Sequence, residues 1–194
     1  NTNAQLEVLG DPDWFSFTVA ARQTVEFNCS TSNFDCDLAL YDSTGTLLVE
    51  DVASSNSARV IYRFANAGTY SVKLYAGSAN YSYGAYSFRL GDRGVDDHSD
   101  TATGATVLTL GTATAGNIEL PADLDFFAVE LAGATAYTAS TTGITTTLTV
   151  YAPDRTTVLS TGASPRAFTS TAAGGTHYVR VQSTSSGAYS VRVQ

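Results

Sequence analysis

The chain has 194 residues, 43% of them hydrophobic and 14% charged, with a formal net charge of −8. That balance supplies a packed core and excludes a disordered chain. The acidic surface, with ten scattered basic residues, excludes a nucleic-acid partner, and no run of about 18 apolar residues is present to span a membrane. The sequence contains no Met, so the chain is expected to be a processed or excised piece of a larger protein. No targeting segment is visible.

The first distinctive element is G-D-P-D-W-F-S-F, residues 10–17. Trp-Phe-x-Phe is a strong strand former and Asp a poor one. Alternate strand residues face one side, so Asp11 and Asp13 are expected to project together, roughly 6.5 to 7 Å apart at the backbone. Half-buried beside Trp14 and Phe15, the pair calls for a cation or for hydrogen-bond donors. Otherwise its members cap turns.

V-E-F-N-C (25–29) and C-D-L-A-L (36–40) both alternate, placing Cys29 and Cys36 inward at the mouth of one connection. A disulfide closing so short a loop contributes about 2 kcal/mol. A secreted protein forms it; two free buried thiols are the alternative. The pair lacks the Cys/His company of a zinc site.

Strands follow at G-T-Y-S-V-K-L (68–74) and G-A-Y-S-F-R-L (84–90). Between them, A-G-S-A-N-Y-S-Y-G-A-Y (76–86) carries Tyr81 and Tyr83 at a Gly-flanked hairpin tip, with Tyr75 just before it. Exposed Tyr at this density suits stacking on a sugar or an extended polypeptide; packing on a neighbouring loop is the bland reading. The acidic stretch 91–100 marks a boundary, giving domains of 1–92 and 93–194.

Past the boundary come Asp96, Asp97, Ser99 and Asp100, then the strand-like T-V-L-T-L (106–110). A-D-L-D-F-F-A-V (122–129) repeats the opening motif, with Asp123 and Asp125 in place of Asp11 and Asp13. L-T-V-Y (148–151), G-T-H-Y-V-R-V (175–181) and G-A-Y-S-V-R-V (187–193) repeat the remaining landmarks in order. This is duplication of a whole domain. Each copy reads as all-β, a sandwich of short antiparallel strands. The first copy is expected to lack the N-terminal strand and linker that precede the matched strand of the second.

Two Asp cannot saturate calcium, which takes six to eight oxygens. If the 96–100 segment folds back, Asp96, Asp97 and Asp100 complete a hard-cation site with Asp123 and Asp125. Asp11 and Asp13 would form a weaker site or none. The bland reading again is turn capping. Catalysis has no support: His177 sits in a strand at the position of Tyr70, His98 lies in the acidic linker, and no nucleophile-elbow or metalloprotease signature occurs.

The order D-D-H-S-D-T (96–101), D-L-D-F-F-A-V, L-T-V-Y, G-T-H-Y-V-R-V and G-A-Y-S-V-R-V resembles the bacterial pre-peptidase C-terminal domain. The first copy resembles it from D-P-D-W-F-S-F through F-D-C-D-L-A-L-Y-D-S-T-G-T (34–46) to G-A-Y-S-F-R-L. The resemblance implies two tandem jelly-roll-like antiparallel β-sandwiches, non-catalytic, at the C-terminal end of a secreted bacterial protease or other hydrolase. It also implies similarity to clostridial collagenase collagen-binding domains, which bind calcium through the N-terminal linker and use surface Tyr. By that resemblance Asp96, Asp97, Asp100, Asp123 and Asp125 are the calcium positions. The expected partner is an extracellular polymer (protein fibre or polysaccharide) or the parent's catalytic domain, and the chain is expected to be secreted and monomeric. The alternatives are a cleavable processing or stability module and a spacer in a surface adhesin.

Overall fold

The computed structural model describes residues 2–52, 55–77 and 83–194. They divide into two compact units, one ending at Val95 and one beginning at Asp96. Unit 1 has eight strands: β1 (Thr2–Leu6), β2 (Asp13–Val19), β3 (Gln23–Thr31), β4 (Cys36–Tyr41), β5 (Leu47–Asp51), β6 (Ser57–Arg63), β7 (Gly68–Ala76) and β8 (Gly84–Val95). Unit 2 has nine: β9 (Thr106–Val107), β10 (Thr114–Ile118), β11 (Leu124–Leu131), β12 (Ala136–Gly143), β13 (Thr147–Tyr151), β14 (Val158–Ala163), β15 (Arg166–Thr169), β16 (Gly175–Gln182) and β17 (Gly187–Val193). One 3-10 turn, Ala102–Gly104, precedes β9. The expected all-β class stands.

In unit 1 the sheets run β1-β8-β3-β6 and β2-β7-β4-β5. In unit 2 they run β10-β17-β12-β15 and β14-β13-β16-β11-β9. Strand for strand the orders agree, except that β9 adds a parallel neighbour to β11. Apart from the β4–β5 and β13–β14 hairpins, successive strands cross between sheets, so each sandwich buries the inward half of two alternating patterns. Phe27, Phe34, Leu38, Leu40, Phe64 and Leu74 are fully buried in unit 1, and Ile118, Phe127, Leu148, Val150, Val179 and Val181 in unit 2. The Cys29–Cys36 disulfide joins β3 to β4 and so links the two sheets of unit 1.

The T-V-L-T-L strand that the first copy was expected to miss has no counterpart among the described residues of unit 1, yet a different N-terminal strand does precede β2 there. Thr2–Leu6 is that strand, paired antiparallel to β8 as β10 is to β17. T-N-A-Q-L is too polar to alternate visibly; Leu6, fully buried, is its one strong anchor. Among the described residues, unit 1 has no counterpart of β9. Within T-V-L-T-L, only Thr106 and Val107 form strand.

That difference shows in burial. Asp125, Phe127 and Val129 on β11 are 0%, 0% and 1% exposed, whereas Asp13, Phe15 and Phe17 on β2 are half-buried. β2 is an edge, while the segment that carries β9 covers the flank of β11. Leu108 donates its N–H to the Ala128 carbonyl at 2.8 Å, and Phe126 donates to the Ser99 carbonyl at 3.0 Å.

Candidate metal centre and ligand surface

The segment 96–108 is drawn onto β11 by one apolar anchor and one polar crosslink. Leu108 is buried in the core of unit 2. His98 packs edge-on against Phe127, with ring centroids 4.5 Å apart. Its Nε2 donates to the Ala115 carbonyl at 3.0 Å, and its Nδ1 lies 2.8 Å from the Thr106 hydroxyl. His98 thus ties the acidic linker to β9 and to the β10 strand. His177 is likewise structural: fully buried, its Nε2 accepts from the Thr171 N–H at 3.2 Å, and its Nδ1 meets the Gly175 carbonyl at 2.8 Å.

This folding-back delivers carboxylates to one point. Asp96, Glu119 and Asp123 each place an oxygen within 4.8 Å of the others, as do Asp96, Asp97 and Asp125. Asp96 belongs to both groups. Asp96, Glu119, Asp123 and Asp125 are buried, and Asp97 is exposed. Asp100 belongs to neither group; it is exposed at the turn before the 3-10 segment.

The geometry around each member is specific. The Tyr189 hydroxyl on β17 donates to Asp125 Oδ2 at 2.6 Å. Asp125 is fully buried, and no hydrogen bond reaches its Oδ1 among the described residues. The Glu119 N–H donates to Asp123 Oδ2 at 3.1 Å, and the Asn117 amide donates to Glu119 Oε1 at 2.7 Å. Ala122 sits in the left-handed region, at φ 76, in the turn that aims Asp123. A non-glycine residue adopts that backbone only where its surroundings impose it.

Burial pushes the Asp125 carboxyl up to about 7; the Tyr189 bond opposes the rise, and Asp123, Asp97 and Asp96 add to it. Burial also raises Glu119, to about 8, with Asp123 and Asp97 contributing and the Asn117 bond opposing. Burial and the Asp125 charge push the Tyr189 hydroxyl well above its ordinary range. Clustered carboxylates raised in this way are stabilised in their charged form by a cation. The donor set is all oxygen, which suits a hard divalent ion such as calcium.

Glu119 is absent from the sequence-derived set. It follows β10, where alternation no longer assigns a face. The signal lay in the repeat: Glu7, Asp11 and Asp13 reappear as Glu119, Asp123 and Asp125 with identical spacing. In unit 1 the Glu7 N–H donates to Asp11 Oδ2 at 3.1 Å, the same closure, and Tyr86 bonds Asp13 Oδ2 as Tyr189 bonds Asp125. Asp11 and Asp13 are only half-buried, Glu7 is the carboxylate that approaches them, raised in pKa chiefly by its bond to Asp11, and no counterparts of Asp96 and Asp97 join them among the described residues.

Of the candidate ligand-binding Tyr residues, Tyr81 lies outside the described residues. Tyr83 is 54% exposed at the entry to β8. Tyr75 is half-buried on the outer face of β7, with the Lys73 ammonium 4.4 Å from its ring centroid. Burial first, then Asp37 and Glu50, raise its hydroxyl to about 12. Sequence reasoning left Trp14 out of the surface. It is 54% exposed and leans on Tyr41 of the same sheet, with centroids 5.1 Å apart. Trp14 falls on the outward parity of β2.

No curated protein sequence matches the chain. Among solved structures, tripeptidyl peptidase 2 is similar at 12% identity and a TM-score of 0.36, covering 97% of this chain and 22% of its own. This chain thus spans about a fifth of that structure's length. The CUB1-EGF-CUB2 region of human MASP-1/3 is similar at 12% identity and a TM-score of 0.27, with 100% of both chains covered. The corresponding rat MASP-1 region gives 10% identity and a TM-score of 0.29, covering 99% of this chain and 98% of that one. Residues 11–76, within unit 1, match the family of the bacterial pre-peptidase C-terminal domain.

Proposed function

We propose that this chain is a non-catalytic accessory module of a secreted bacterial protease or other hydrolase. Unit 2 holds calcium through Asp96, Asp97, Glu119, Asp123 and Asp125, and unit 1 offers an aromatic surface to an extracellular polymer, a protein fibre or a polysaccharide. The observation that carries the calcium reading is Asp125, fully buried in an acidic cluster with one oxygen that no donor reaches among the described residues. An ion there would fasten the linker to β11. The family match in unit 1 supports the accessory role, and the disulfide suits an oxidising, extracellular setting.

The polymer reading rests on Trp14, Tyr75 and Tyr83. Aromatic faces on a rigid sheet stack on sugar rings or extended polypeptide at small entropic cost. Attachment would raise the local concentration of substrate for a tethered catalytic domain.

The test is co-sedimentation of the chain with fibrous collagen, chitin and bacterial cell wall in calcium. Retention on one of these, lost in Tyr75→Ala/Tyr83→Ala, is expected. Failure of every polymer to retain the chain would overturn the binding role and leave the processing or spacer reading.

A further inference from the structure

Unit 1 contains a second pair of buried carboxylates, remote in sequence from the Glu7, Asp11 and Asp13 group. Asp35 and Asp37 flank Cys36 and are 5% and 4% exposed. Cys36 points inward to its disulfide, so its neighbours turn the other way, toward the end of β7. Asp35 is fixed by its surroundings. Its carbonyl accepts from the Gly77 N–H at 2.8 Å, and its Oδ1 accepts from the Ser55 N–H at 2.7 Å. Asp37 pairs in register with Tyr75. No hydrogen bond reaches Asp37 Oδ1 among the described residues.

Both carboxylates converge beside the backbone of Gly77. A Cβ placed on Gly77 would lie 2.4 Å from Asp35 Oδ2 and 3.0 Å from Asp37 Oδ2. Asp35 Oδ2 thus stands where a Gly77 side chain would begin, with Asp37 Oδ2 beside it, so the glycine is what lets the two carboxylates converge there. Burial raises the Asp37 carboxyl to about 6, with Asp35, Asp51 and Glu50 adding to the rise.

The fold does not ask for these charges. The matching positions in unit 2 are Thr145 and Thr147, and the Thr145 carbonyl there accepts from the Ser183 hydroxyl. The same strand pairing is therefore built with neutral hydroxyls. Two adjacent buried carboxylates carry a desolvation and repulsion penalty that only a proton, donors or a cation relieves.

We propose that Asp35 and Asp37 form a second divalent-cation site in unit 1, centred beside Gly77 and taking calcium. Asp35 Oδ2 and both oxygens of Asp37 supply the protein ligands, and water completes the shell. So few protein ligands place its affinity in the weak range of extracellular modules, about 10⁻⁴ to 10⁻³ M. The ion would fasten the start of β4 to the end of β7 and so brace the strand that presents Tyr75. This site stands independently of the one proposed in unit 2.

The test is a calcium chloride titration of the ¹⁵N-labelled full chain, followed residue by residue by NMR to about 10 mM, above the expected range. The Asp37, Ser55 and Gly77 amides are expected to titrate in the wild type and equally in Asp125→Asn. In Asp35→Asn/Asp37→Asn they are expected to stay still while the amides around Asp125 still move. Gly77→Ala, whose Cβ would push the Asp35 carboxylate out of place, reads the same loss should the double variant fold poorly. Resonances of Asp37 and Gly77 that do not move, or that move equally in both variants, would overturn the site.

Discussion

Replacing Asp125 with Asn separates a metal ligand from a structural acceptor. Asn has the size of Asp and can still accept the Tyr189 hydroxyl, so the substitution removes charge and little else. Asp96, Asp97 and Asp125 each bring an oxygen within 4.8 Å of the others. At that distance, with an effective dielectric near 20, two like charges repel by about 3.5 kcal/mol. Because burial raises the Asp125 carboxyl from 3.8 to about 7, its ionisation costs unit 2 stability as pH climbs across that window. At a pH of about 8 the whole cost is present. In chelator at that pH, Asp125→Asn is therefore expected to melt higher than the wild type, by up to about 3.5 kcal/mol for each ionised neighbour relieved. Calcium at 100 times its dissociation constant adds about 2.7 kcal/mol to the wild type, roughly 10 to 20 °C for a domain of about 100 residues. The variant, short of a ligand, gains less, so calcium narrows its lead over the wild type. Differential scanning calorimetry with and without EDTA reads both numbers. A variant that melts lower than the wild type by the same amount in chelator and in calcium would refute the metal role, leaving Asp125 as a partner for Tyr189 alone.

Leu108→Ala removes the anchor of the β9 segment, and loss of a buried Leu costs about 2 to 5 kcal/mol; chemical denaturation should show that loss in unit 2 with a parallel fall in calcium affinity, and unchanged affinity would detach the linker from the site. Glu26 bonds Arg59 Nε at 2.6 Å and Arg93 Nη2 at 2.6 Å. Burial would raise this carboxyl, but the two guanidiniums outweigh it and bring it from 4.5 down to about 2. The folded pKa is depressed, so its contribution is complete above the ordinary value and fades as pH falls through that window; in Glu26→Gln the acid dependence of unit 1 should flatten there, as urea midpoints across the range would show. Cys29→Ser/Cys36→Ser opens a loop with a sequence separation of 7 and should lower the stability of unit 1 by about 2 kcal/mol, a loss that treating the wild type with reductant reproduces.

Much of the fold was legible because alternation and repetition reinforce one another. Tyr70, Val72 and Leu74, or Phe127 and Val129, announce strands by parity alone, and the repeat fixes their order. β1 was missed because its pairing is carried by backbone groups that any residue supplies, with Leu6 as the one apolar marker. Asp123 and Asp125 were legible through their odd position before aromatics. Glu119 was not, because it follows a strand end where only the turn back to Asp123 decides its direction. Asp100 reads as the equal of Asp96 in the sequence, yet it lies past the Ser99 bridge to Phe126 and is exposed, outside both carboxylate groups. The buried state of Asp37 was hidden for a similar reason: its outward parity gives no hint that the end of β7 will cover it.

The Tyr–Asp bonds have a mechanical meaning. Asp13 and Tyr86 stand on opposite sheets of unit 1, as Asp125 and Tyr189 do in unit 2. Two sheets joined by apolar contact alone glide over one another under shear, because such contact has no direction. Each unit carries a directional rivet across that plane, and unit 1 adds a covalent one in Cys29–Cys36. A module pulled between an enzyme and an immobile polymer meets this load. Single-molecule stretching should find unit 1 the stronger link, and reductant should bring its rupture force down toward that of unit 2; an unchanged force would show that the disulfide lies off the loading path.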